Sequence, residues 1–388
     1  MADILHTRVR SVDILRGIVM VLMALDHTRD YFTDFYNNPT DLSVAGTGMF
    51  LTRWITHFCA PVFVFLAGTS AFLSLSKKKD KKAASFFLFT RGVWLIVLEL
   101  TIVRFGWLFN LDYSQTIVQV IWAIGWSMIF LAALIHLPFR WVLAIGLVMV
   151  FGHNALDFIP VDTQTGTGLL WHFLHQSGFI QYGTNGSLYV IYPLIPWIGV
   201  MAVGYCFGRI MQYNEHKRNR MLYRIGGGAI LLFLILRAIN LYGDPHPWTV
   251  QESWHRTVLS FINCEKYPPS LLYLLMTLGP SIMLMPLLER AAANFGRFFT
   301  VFGRVPLFYY IAHIYLIHVM AIVGAAMLGL PLDYFTDNDL IWVSKPGWGW
   351  GLPVVYAVWI AAVLLLYYPS RWFMRVKQQN KQWWLSYL

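Results

Sequence analysis

Charged side chains make up only 12% of these 388 residues, where soluble domains carry about 25%. With 57% hydrophobic residues, that scarcity excludes the pair of ordinary soluble domains that the length alone would allow. The alternating segments of about ten residues that mark a membrane β-barrel are missing. Cysteine is sparse: Cys59, Cys206 and Cys264 lie far apart, two of them in apolar runs, so neither a disulfide framework nor a zinc site is expected. Walker, GxGxxG and GxSxG patterns and a zinc-spaced Cys/His set are absent, which counts only weakly against the enzyme classes that use them, because membrane enzymes often lack soluble motifs. No small-residue cleavage site follows the first apolar run, so that run is taken as a retained span and targeting signal.

What is present is a series of apolar runs of about 20 residues, each long enough to cross a bilayer. Ten spans are expected, at about 12–32, 52–75, 84–106, 117–136, 139–156, 188–210, 225–243, 269–289, 305–328 and 350–370. The fold class is therefore all-α: a polytopic membrane helix bundle, residues 1–388 forming one domain with tails at 1–10 and 371–388. The net charge of +10 would suit nucleic acid, but the basic residues sit in short loops such as KKKDKK at 77–82. Placing the N-terminus in the cytoplasm puts 22 of the 29 Lys and Arg on that side. Positive loops stay inside, so both termini are expected to be cytoplasmic. The outer loops 157–187, 244–268 and 331–349 are long and rich in Gly, Pro, Trp, His and Asp (Asp333, Asp337 and Asp339 in the last). Loops of that length often serve as lids or binding surfaces. No internal repeat of the kind many transporters show is visible.

Ionisable groups within a span are costly, and so point to function. The first span carries Asp13 and Arg16, one turn apart near the inner surface, and Asp26, His27, Arg29 and Asp30 near the outer one. Arg16, with Arg10 and Asp13 beside it, suits an anionic ligand, because guanidinium matches phosphate; an interfacial anchor explains Arg16 equally well. His27 lies 11 residues further on, roughly 16 Å across the membrane. A long thin ligand with a charged end and a reactive end, such as acyl-CoA, has that shape. Asp30, at i+3, is placed to hold one imidazole nitrogen of His27 and leave the other as a general base. Asp26 points away from His27, towards Arg29 or Asp30. His57 on the second span falls at a similar depth, as a second catalytic group or a structural partner. Pro61 and Gly68 beyond it permit a kink and a close approach. In the ninth span, His313 and His318 are five apart and share no face, which argues against a metal pair; one of them is expected to face the core. Glu99 and Arg104 are close enough for an imperfect pair. Lys266 and Tyr267, just before the eighth span, are candidates to meet an anionic or sugar acceptor.

The segments RVRSVDILRG followed by His27, THFCAPVFVFLAGTSAF and GRVPLFYYIAHIYLIH resemble the bacterial branch of the heparan-α-glucosaminide N-acetyltransferase-like family. The spacing from Asp13 through Arg16 to His27 is also similar to that of the acyltransferase-three family. The resemblance implies a bacterial inner membrane, an acetyl-CoA donor, an acceptor on the far side of the membrane, and a histidine at the centre; from the cysteine and histidine spacing no metal is expected. By the acyltransferase-three pattern it carries His27 over as base and Arg16 as a donor-side residue; loop 33–52, where the lysosomal enzyme has its own proposed catalytic histidine, holds none, a departure from the family pattern. The expected function is a membrane acyltransferase that moves acetyl from cytoplasmic acetyl-CoA to a hydroxyl or amine of an extracytoplasmic glycan or glycolipid. The alternative is a proton-coupled transporter of a small solute, since intramembrane Asp, Glu and His also form proton relays. Expected partners are the acyl-CoA donor, the sugar acceptor and lipids, not nucleic acid, with self-association left open.

Overall fold

The structure, a computed structural model, describes residues 9–76, 80–159, 161, 166–291, 293–338, 343–380 and 382–387. Residues 1–8 of the N-terminal tail, Lys77–Lys79 of the basic loop and Asp339 lie outside the described residues. The helices run in order as α1 Arg10–Phe32, α2 Thr47–Thr56, α3 Cys59–Leu75, α4 Lys81–Leu98, α5 Arg104–Leu108, α6 Val120–Leu134, α7 Phe139–Gly152, α8 Gly166–Leu174, α9 Leu194–Phe207, α10 Glu215–Ile239, α11 Trp254–Ile262, α12 Leu271–Glu289, α13 Ala293–Arg304, α14 Pro306–Met327 and α15 Leu352–Gln379.

Among the described residues, eight helical segments are long and apolar enough to cross a membrane, and they match eight of the ten expected spans. The two others are α1, with six charged residues, and α6, with only 15 residues. Helix α15 continues to Gln379, so the span expected to end near 370 runs on into the expected tail.

Helix α1 is the centre of the bundle: it packs on α2, α3, α12, α13, α14 and α15. Its tightest neighbour is the amphipathic α13. A Cβ on Gly303 would collide with the Asp13 carbonyl, and one on Gly17 with that of Phe299. Small residues let backbones close to this distance where lipid supplies no hydrophobic drive.

The second span is broken at His57 and Phe58, between α2 and α3. Pro61 causes the break: proline has no N–H, and its ring clashes with the carbonyl four residues earlier, that of His57. The freed carbonyl accepts from the Tyr273 hydroxyl at 2.8 Å, so the kink is also a joint to α12.

One element departs from the all-α expectation. Residues 117–118 and 188–190, assigned to the starts of spans by their apolarity, lie in strands. β1 Gln115–Val118 pairs in parallel with β3 Gly186–Val190, which pairs antiparallel with β2 Gly178–Tyr182 through a turn with Gly183 at φ +59. Four-residue apolar runs look alike in helix and strand. The bridge at Thr33 and Trp350, with the Trp348 indole donating to the Tyr31 carbonyl at 2.8 Å, ties the end of α1 to the segment before α15.

Candidate functional site

Near its C-terminal end α1 places Asp26, His27, Arg29 and Asp30 on the wall of a cavity of about 400 Å³. Met23, Cys59, Ala60 and Phe63 form its apolar end; Tyr36, Asn37, Asn38 and Pro39 from the loop after α1, with Tyr189 of β3, form the other. The cavity thus runs from the loops at the C-terminal end of α1 in among the helices.

His27 meets His313 rather than Asp30. The two imidazoles are stacked 4.9 Å apart, and His27 Nδ1 lies 2.7 Å from His313 Nε2. On its far side His313 Nδ1 lies 2.9 Å from the Tyr309 carbonyl. A carbonyl only accepts, so Nδ1 of His313 carries the hydrogen. With both rings neutral, His313 Nε2 is then the acceptor, and His27 Nδ1 must donate to it. That leaves His27 Nε2 as a bare lone pair on a ring that lines the cavity. Trp107 packs edge-on against this ring at 4.7 Å and 71° and fixes its plane.

Asp30 does not orient His27, because Arg29 claims it at 2.7 Å; an adjacent guanidinium is a stronger partner than a neutral imidazole. Asp26 behaves as its helical position foretold and pairs with Arg29 at 2.9 Å. It also takes Arg53 of α2 on both oxygens, at 2.7 and 2.6 Å, and Lys266 at 3.7 Å. Three cations and two carboxylates therefore share one side of the cavity. Lys266, which could have been an ordinary interfacial lysine, is only 6% exposed. Its neighbour Tyr267 lies under Lys266 at 5.1 Å and Arg53 at 6.0 Å. Burial raises its phenol, but Lys266 and Arg53 outweigh that and hold it below its ordinary value of 10.0.

His57 is buried behind the cavity wall, with its ring against Tyr273 at 5.4 Å and its Nδ1 without a hydrogen-bond partner among the described residues. His318 belongs elsewhere: Nε2 lies 2.7 Å from the Phe335 carbonyl and Nδ1 2.8 Å from that of Gly106. The expected Glu99–Arg104 pair is absent. The π-helical turn Glu99–Val103 separates their faces; Glu99 accepts from the Gln119 amide at 2.9 Å, while Arg104 gathers the carbonyls of Asn110, Asp112 and Gln115.

The donor-side residues form a separate group at the other end of α1. Arg16 donates to the Gly303 carbonyl at 3.1 Å and to Ser70, and pairs with Asp13 at 3.7 Å. Asp13 also meets Arg304 at 3.4 Å, and Arg10 the Ala291 carbonyl at 3.1 Å. All three tie α1 to α13 or its flanks, and none lines the cavity. Among the described residues no group of three or more His, Cys, Asp or Glu is placed to hold a metal.

Two members of the site had escaped notice: Arg53 and Trp107. Arg53 sits four residues before His57, on the same face of a helix, which is the signal that would have found it. Trp107 arrives after an irregular helical turn, and nothing in its spacing singles it out.

Comparison with curated proteins gives no match. The family model for heparan-alpha-glucosaminide N-acetyltransferase, catalytic, matches residues 8–237, which holds α1, the broken second span and most of the cavity wall. With well over half of its length matched, this multi-pass helical protein belongs to the heparan-alpha-glucosaminide N-acetyltransferase catalytic family.

Proposed function

We propose that the protein transfers an acetyl group from acetyl-CoA to a sugar hydroxyl or amine that enters from the outer loops, with His27 as general base. The observation that carries this reading is the relay from the Tyr309 carbonyl through His313 to His27, which ends in an unprotonated Nε2 on the cavity wall. In the transfer, Nε2 takes the proton from the acceptor hydroxyl or amine as its heteroatom bonds to the thioester carbon. The tetrahedral oxyanion forms beside Arg29, Arg53 and Lys266, where fixed positive charge favours it. The carbon–sulfur bond then breaks, and the CoA thiolate takes the proton back from His27. The group missing from this scheme is a local acid on the imidazole; His313 supplies tautomer control instead.

The aromatic rim of Tyr36, Tyr189 and Tyr267 suits the apolar face of a sugar ring, and the charged wall suits its hydroxyls. In this reading the Lys/Arg-rich end faces the cytoplasm of a bacterium, and CoA phosphates approach near Arg10 and Arg16. The thioester must then pass Met23 and Phe63 to reach His27, because those side chains close the deep end of the cavity. The test is purified protein with labelled acetyl-CoA and a glucosaminide acceptor. Transfer that His27→Ala abolishes supports the assignment; full transfer by His27→Ala overturns it. Solute uptake by proteoliposomes lacking any acyl donor would favour a transporter.

A further inference from the structure

At the opposite end of the bundle a second cavity, of about 500 Å³, lies between the first turns of α10 and the end of α12. His216, Arg220, Tyr223 and Arg224 line it, at the i, i+4, i+7 and i+8 spacing of one helical stripe, and Arg290 joins them from the end of α12. The acids nearby are already engaged. Glu289 pairs with Arg218 at 3.9 Å and accepts the Ser11 amide at 3.1 Å, while Glu215 pairs with Arg290 at 3.3 Å. Arg220 and Arg224, on the lining of this cavity, have neither hydrogen bond nor ion pair among the described residues.

Two unpaired guanidinium groups suit an anion, and their surroundings say which kind. Helix α10 turns wholly apolar after Arg224, from Ile225 to Leu236. Two turns further along the stripe from Arg224, Leu231 is exposed, and Leu287, one turn before Arg290 on α12, is exposed as well. Guanidinium groups at the headgroup level with bare leucines directly beneath them match a molecule that has a phosphate at one end and hydrocarbon at the other. A soluble phosphate would use the arginines and leave the leucines bare. We propose that this cavity holds the phosphate of an anionic phospholipid from the leaflet at the Lys/Arg-rich end, with its acyl chains along Leu231 and Leu287. Basic residues at this level attract anionic headgroups in general; the unpaired arginines and the cavity make this place specific. The proposal does not depend on acetyl transfer.

The test titrates full-length protein in neutral detergent with phosphatidylglycerol and reads bound lipid by native mass spectrometry. Phosphatidylglycerol should bind and phosphatidylcholine of the same chain length should not. The double variant Arg220→Ala/Arg224→Ala should bind about thirtyfold more weakly, two interfacial arginines' worth. Arg220→Lys/Arg224→Lys should keep most of the affinity, and Arg371→Ala all of it. In the unmodified protein, affinity should fall as salt rises, which tests the charge contact even if the alanine variant fails to fold. Equal binding of phosphatidylcholine, salt-independent binding, unchanged affinity in a folded alanine variant, or displacement of the lipid by CoA would each overturn the proposal.

Discussion

His27 Nδ1 and His313 Nε2 stand 2.7 Å apart although 286 residues separate them in the chain. Because the Tyr309 carbonyl fixes the hydrogen on the far side of His313, this contact determines which nitrogen of His27 can accept a proton.

Replacing His27 by Ala should lower acetyl transfer by about 10²–10⁴-fold, the usual contribution of a positioned general base. His313→Ala should lower it by less, and His313→Gln, whose amide oxygen can still accept from His27 Nδ1, should retain more activity than alanine does. Steady-state rates with labelled acetyl-CoA at fixed acceptor provide the comparison. A His313→Gln variant no more active than His313→Ala would contradict tautomer control.

Asp26 neutralises three cations at once, so its loss should be felt in stability. Asp26→Ala leaves Arg29, Arg53 and Lys266 mutually repelling in a closed space, and about 3–5 kcal/mol of destabilisation is expected. Thermal unfolding in detergent measures this. Lys266→Met, which removes one cation and leaves Asp26 with two, should cost much less.

Tyr267 gives a spectroscopic handle on the same cluster. Held below 10.0 by Lys266 and Arg53 against the effect of burial, it should ionise in the folded protein before the other tyrosines. Ultraviolet difference spectra near the phenolate band should show this early step, and Lys266→Met should move it to higher pH. The linkage follows in sign: the folded value lies below the unfolded one, so this contact adds no stability at neutral pH. Its contribution grows as pH rises past the folded value and is complete above 10.0. An unchanged titration in Lys266→Met would mean that the charges do not reach the phenol.

The seam between α1 and α13 should tolerate no added carbon. Gly303→Ala forces a methyl group into the Asp13 carbonyl, and overpacking of this kind costs about 1–3 kcal/mol. Gly228→Ala in α10 has open space around it and should instead be neutral or slightly stabilising. Paired melting curves compare the two.

Much of the fold was legible because crossing a bilayer demands long apolar helices, and apolar runs are easy to count. The breaks in those runs were harder. Pro61 signalled a kink, but that Tyr273 would cap the freed His57 carbonyl depends on a helix more than 200 residues away. β1 and β3 read as the starts of spans because short apolar runs carry no period. At the site, Asp26, His27, Lys266, Tyr267 and His313 were all picked out by being polar in apolar surroundings. Their pairing was not: helical spacing offered Asp30 to His27, and only the packing of α14 on α1 put His313 there first. The donor-side trio was assigned by distance along α1, which could not reveal that Arg16 is engaged by Ser70 and Gly303.

The charges of α1 also bear on how the chain enters a membrane. Alone, the helix would bring Asp26, Arg29 and Asp30 into hydrocarbon with one negative charge unmatched, and its own composition falls short of a self-sufficient anchor. The guanidinium that balances it, Arg53, arrives on the very next helical segment. The insertion machinery should therefore release α1 to lipid only once the α2–α3 segment has followed, as a hairpin rather than strand by strand. A nascent chain truncated before Arg53 should stay extractable from the bilayer by alkali.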